Sequence, residues 1–271
     1  MNRITRLVAL GFILLSLPIS SMAKGDDKDK GDEVPYYGTE KDNDVQFRTG
    51  FEVEKKFQNH FSLAWSEELR LKQDIQRLDR IYSDFTLAYK SAPWLKFSAG
   101  YTFISVNKKG KEKDNFKKYW DLRHRVTASV ALSHKTKSNW VFSLKERVQT
   151  TFLTENDIDK REKSDPVWVL KSKVMAEYKY KKVPLNPYVS VELCNTLNAP
   201  GLADGNYLEK VRSAIGAVYR INKKNCIDFY YRFDYNLDKK INVRNSTGKL
   251  KSLIEKTAYN SIFSMSYKYK F

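Results

Sequence analysis

Arg123 and Arg125 stand two residues apart. In an extended chain that spacing puts both side chains on one face, and a neighbouring strand can bring Arg147 to the same side. Fixed guanidinium groups gathered along a low-dielectric wall attract anions, and carboxylates opposite them sharpen the field across a lumen. Glu68 and Asp84 could supply such an opposing patch, and the same alternation turns Glu52, Arg70, Arg212 and Arg232 inward. These nine are the candidate lumen-lining residues. The plainer reading of the same residues is that the two signs pair and fill a closed interior, and at an intermediate barrel size both readings stand.

Catalysis has less to work with. Only three histidines occur, and His60 and His134 fall at expected turns. His124 lies on the apolar face, where a barrel lipase would also need a serine and an orienting third residue. A hairpin closing near Lys137 sets His124 opposite Thr150, with no carboxylate beside it. The chain is therefore expected not to be an enzyme, with an outer-membrane lipase the weakest of the readings. Asn156, Asp157 and Asp159 offer oxygens to a cation, but the glycine turn and distal glutamate of a calcium loop are missing. With no glycine loop for phosphate and no zinc spacing, no cofactor or metal is expected. The run Lys108 to Lys113, joined by Lys117 and Lys118, is either a solvated loop or a contact for the phosphates of lipopolysaccharide.

The elements that position these residues are strands. From Val45 onward apolar and polar residues alternate: Val45, Phe47, Thr49, Phe51 and Val53 lie on one face, Gln46, Arg48, Glu52 and Glu54 on the other. Similar alternation marks strands over 61–72, 81–89, 95–106, 120–132, 140–152, 168–180, 187–194, 211–219, 227–237 and 257–271. Most match or exceed the roughly 9 to 11 residues that cross a bilayer at a tilt, and they outrun the five or six usual in a soluble sandwich. Connections alternate in length, short at 58–60, 91–94, 135–139, 181–186 and 222–225, long at 73–80, 107–118, 154–165, 196–206 and 238–256. Short periplasmic turns and long external loops belong to outer-membrane barrels. Trp94 and Trp140 sit beside short turns and Trp120 and Trp168 follow long loops, where aromatic girdles form; Trp65 lies inside its strand.

The ends point to export. Arg3 and Arg6 precede an apolar run over 7–19, and Ser21-Met22-Ala23 carries small residues where signal peptidase reads. Residues 1–23 thus read as a cleaved signal peptide, 24–44 as a disordered, charged periplasmic tail, and 45–271 as the barrel. Tyr267, Tyr269 and Phe271 form an alternating aromatic ending. That ending resembles the insertion signal read by the outer-membrane assembly machinery.

The net charge of +17 falls to +15 without Arg3 and Arg6. In an exported chain such a balance points to lipopolysaccharide, acidic glycans or an anion-selective lumen passing small solutes, or else to loops that Lys and Arg merely solubilise, with no nucleic acid as partner. The mean hydropathy of −0.60 suits a barrel, because half of every strand faces a wet lumen. Two cysteines at opposite ends of their strands, Cys194 and Cys226, are expected to stay free thiols.

Two segments carry a family resemblance: Phe51-Glu-Val-Glu-Lys-Lys-Phe57 with Phe61-Ser-Leu-Ala-Trp-Ser-Glu-Glu-Leu-Arg70, and the later pattern Ala88-Tyr-Lys90, Trp94-Leu95, Gly100-Tyr101. They resemble the bacterial outer-membrane barrel family called domain of unknown function 2490, over residues 45–271. The resemblance implies a barrel in the outer membrane of Gram-negative bacteria, and no catalytic residues. The fold expected is all-β, a transmembrane antiparallel up-and-down β-barrel of about twelve strands, with ten as the alternative. Eleven strands are visible, and the twelfth could form around 34–38 or within 238–256. The function expected is a small-solute, anion-preferring channel, or else a structural or surface-binding barrel with a filled lumen.

Overall fold

The computed structural model describes residues 36–57, 60–109, 118–153, 166–199, 206–243 and 250–271. The signal segment, most of the tail, most of the Lys108 to Lys113 run and the Asn156, Asp157, Asp159 trio lie outside these residues. Eleven strands form among them: β1 (Tyr36–Phe57), β2 (Phe61–Lys72), β3 (Arg77–Ala92), β4 (Leu95–Lys109), β5 (Lys118–Lys135), β6 (Trp140–Leu153), β7 (Val167–Tyr178), β8 (Leu185–Thr196), β9 (Tyr207–Arg220), β10 (Asn225–Val243) and β11 (Leu250–Lys270). Each pairs antiparallel with its sequence neighbour, and β1 closes the barrel against β11. Closure satisfies every backbone edge, which a membrane requires of any sheet that spans it.

The strand number falls between the two even values expected, and the reason is visible at the seam. The described parts of the stretches that might have made a twelfth strand instead lengthen existing ones: 36–44 belongs to β1, 238–243 to β10 and 250–256 to β11. With an odd number, β1 and β11 must run the same way, and they pair in parallel from Tyr36↔Ser252 to Glu54↔Lys270. Two corrections follow. Residues 36–44 are strand and not disordered tail, and β1 begins at the end where the long connections lie, opposite the C-terminus.

The connection after β2 is also shorter than expected. Residues 73–76 make a tight turn with Gln73, Asp74 and Ile75 at φ of 56°, 53° and 68°. Left-handed backbone at a β-branched residue is costly, and alternation alone could not reveal it. The turn is steadied by the Asp74 amide donating to the Asp44 carboxylate at 3.1 Å.

Alternation sorts the side chains into a wet inside and an apolar outside. Phe51, Leu63, Phe85, Leu87, Phe97 and Phe142 are among the large apolar residues exposed on the outer face. A belt of that kind exceeds the few hundred Å² of apolar patch that soluble monomers tolerate, so its solvent is lipid. Trp120 and Trp168 stand near the loop end of β5 and β7, Trp140 opens β6, and Trp94 sits in the β3–β4 turn, all exposed.

Candidate functional site: a cationic lumen

Inside the barrel lies a cavity of about 1090 Å³. Thirteen Lys and Arg side chains line it against seven Asp and Glu, more cations than the carboxylates can neutralise. How they are shared divides the wall into two regions.

One region is paired. Arg212 on β9 bonds Glu192 on β8 at 2.5 Å and approaches Asp234 on β10 at 3.4 Å, while Arg232 holds the other Asp234 oxygen at 2.7 Å. These contacts follow from register, since Glu192 faces Arg212 and Arg212 faces Asp234 across the two ladders. On β2 Arg70 bonds Glu68, donates to the Tyr82 hydroxyl at 3.0 Å, and lies 3.9 Å from that ring's centroid. Nearer the loops, Arg123 and Lys108 share Asp121 at 2.7 and 2.6 Å.

The second region, on β5 to β7, is cationic and unpaired. Lys145 on β6 stands opposite Lys173 on β7, and Arg147 opposite Lys171. Beside them Arg125 donates to the Thr151 hydroxyl at 3.0 Å. Among the described residues none of these five makes an ion pair. Like charges directly opposite one another weaken a sheet, so the arrangement is one that architecture alone would not favour. Toward the short turns, beyond the cavity lining, inward side chains are tied together: Tyr188 donates to Asp228 at 2.9 Å, and Lys268 meets Asp228 and Glu52 at 3.3 and 3.9 Å.

A family model described as a protein of unknown function, DUF2490, matches residues 46–245. The chain belongs to that family. The match stops short of β11, so the aromatic ending lies beyond the part of this DUF2490 barrel that the family model spans. Among solved structures, the barrel is similar to a NanC porin at 13% identity and a TM-score of 0.45, over 83% of this chain and 99% of that one. An outer-membrane expressed OmpT of Vibrio cholerae gives 8% and 0.37, over 72% and 60% of the two chains. An anion-selective porin from Comamonas acidovorans gives 10% and 0.33, over 76% and 53%. No curated protein matches the sequence.

Of the residues singled out from the DUF2490 sequence, Glu68, Arg70, Asp84, Arg123, Arg125, Arg147, Arg212 and Arg232 line the cavity. Glu52 faces inward nearer the short turns, with Lys268. The expected Arg123, Arg125 and Arg147 cluster divides, because Arg123 is ion-paired with Asp121, which Lys108 also contacts. The opposing acidic patch divides too: Glu68 is bonded to Arg70, and Asp84 accepts from Thr86 and Thr102 at 2.8 and 2.5 Å. Lys171 and Lys173 were missed, although their alternation with Leu170, Ser172 and Val174 carried the signal. Tyr267 and Phe271 stand exposed on the outer face at the C-terminal end.

His124 faces Phe152 and not Thr150, because the β5–β6 hairpin closes one residue later than expected. Its ring nitrogen bonds the Tyr101 hydroxyl and its ring packs on Phe103, contacts that anchor an aromatic and assemble no triad. Cys194 and Cys226 are both free thiols.

Proposed function

We propose that this chain is an outer-membrane channel for small anionic solutes, exported by its N-terminal signal and inserted through the Tyr267, Tyr269, Phe271 ending. The observation that carries the reading is the pair of cation-on-cation registers, Lys145↔Lys173 and Arg147↔Lys171, facing the cavity. At an effective dielectric of about 20, two unit charges about 5 Å apart repel by up to about 3 kcal/mol. Spreading of the side-chain tips reduces this, yet the sign stays unfavourable until an anion arrives. A passing anion relieves the repulsion, and the same field raises its local concentration. The apolar belt supports a bilayer as the surrounding solvent, with lipopolysaccharide as the outer-leaflet neighbour and the barrel assembly machinery as a partner during insertion. No catalytic step is part of this reading.

Refolded residues 24–271 should give stable current steps in a planar bilayer, with a reversal potential of anion-selective sign under a salt gradient. Substituting Arg147→Gln and Lys171→Gln together should lower the anion-to-cation permeability ratio roughly threefold or more, as expected when a focusing charge is removed. A folded barrel that never conducts would sink the channel. It would favour instead the second reading, a filled barrel with working loops, which the Tyr188, Asp228, Lys268 and Glu52 contacts support.

A further inference from the structure

Lys145, Arg147, Lys171 and Lys173 form a two-by-two array, two residues deep on each of two adjacent strands. Cross-strand partners stand about 5 Å apart at Cβ, and same-face neighbours along a strand about 7 Å apart. The carboxylate nearest in register, Glu192 opposite Lys173, is already held by Arg212 at 2.5 Å. On the far side of the ring, five strands away in either direction, β1 carries Arg48. It lines the same cavity, is only 5% exposed, and its buried Nε has no hydrogen-bond partner among the described residues.

We infer that this array, with Arg48 across the lumen, is a saturable binding site for small polyanions, solutes whose two or more carboxylate or phosphate groups present anionic oxygens across a span of about 5–7 Å. A single carboxylate can bridge one cross-strand pair and leaves the other pair opposed. A di- or trianion of matching span engages both pairs at once and relieves both repulsions. The inference rests on the anionic reading of the cavity and not on conduction.

The test is calorimetric titration of residues 24–271, refolded in detergent, with citrate and pyrophosphate against acetate and inorganic phosphate. Citrate or pyrophosphate should bind saturably and at least about tenfold more tightly than the matching simple anion, a gap that a second engaged pair produces. Whichever of the two is tighter identifies the group recognised. Lys145→Gln with Lys173→Gln should lower that affinity about tenfold, Arg147→Lys should retain it, and Lys137→Gln in the exposed β5–β6 turn should leave it unchanged. Equal binding of citrate and acetate by the folded barrel overturns the inference, as does undiminished citrate binding by the double variant. If the double variant does not fold, Lys171→Gln alone supplies the same comparison. Citrate binding without current overturns only the channel, whereas current without discrimination between citrate and acetate overturns only the polyanion site.

Discussion

Ser172 on β7 donates a hydrogen bond of 2.6 Å to Glu146 on β6, on the outer face of the barrel. Glu146 stands between Lys145 and Arg147 in sequence, yet alternation turns it away from them and into the apolar belt, opposite Val130 and beside Val148. Its second oxygen is buried with no partner among the described residues. Acidic residues on the lipid face cost less than the ~2–4 kcal/mol of a mid-bilayer lysine, but they still cost. Replacing Glu146 by Leu is therefore expected to stabilise the barrel by about 1–2 kcal/mol in urea unfolding from lipid vesicles. Ser172→Ala, which leaves the carboxylate with no hydrogen bond from Ser172, is expected to destabilise by about 1 kcal/mol. Loss of stability in Glu146→Leu would show that this face meets a polar partner and not acyl chains.

The two regions of the lumen differ in what they contribute to folding. Arg212 bonds Glu192 and approaches Asp234, of which Asp234 is 2% exposed. Removing one member of such a pair strands the other, so Arg212→Ala should lower unfolding stability by about 3 kcal/mol. Lys145→Gln with Lys173→Gln removes an opposed pair and should be neutral or mildly stabilising. Equal losses in the two cases would mean that the lysines are also neutralised, and the division into paired and unpaired walls would fail.

The seam offers a direct measurement of topology. Thr49 on β1 is paired with Met265 on β11 in the parallel register. In a background with Cys194→Ser and Cys226→Ser, Thr49→Cys with Met265→Cys should cross-link on oxidation, since ladder partners lie within the ~7 Å Cα limit of a disulfide. The product should migrate as a closed species on a denaturing gel and revert on reduction. Cross-linking that fails at this pair but succeeds after a shift of register would refute the Thr49↔Met265 closure.

Much of this protein is settled by local periodicity. The strands, their inward and outward faces and the girdle tryptophans follow from a side-chain period of two, because an extended chain has no other way to place successive residues. Arg147 and Lys171 could be assigned to the inside from their apolar neighbours alone. Whether they face each other could not, because register depends on where the β6–β7 connection closes, and one residue of slip changes every partner. The same limit moved His124 from Thr150 to Phe152. The contact of Lys108 with the Asp121 carboxylate that Arg123 also holds, the tight left-handed turn at 73–76, and the parallel meeting of β1 with β11 each join groups distant along the chain or rest on backbone angles that carry no periodic signature. Alternation thus determined which side chains share the lumen; only closure of the barrel decided which of them neutralise one another and which leave their charge for a solute.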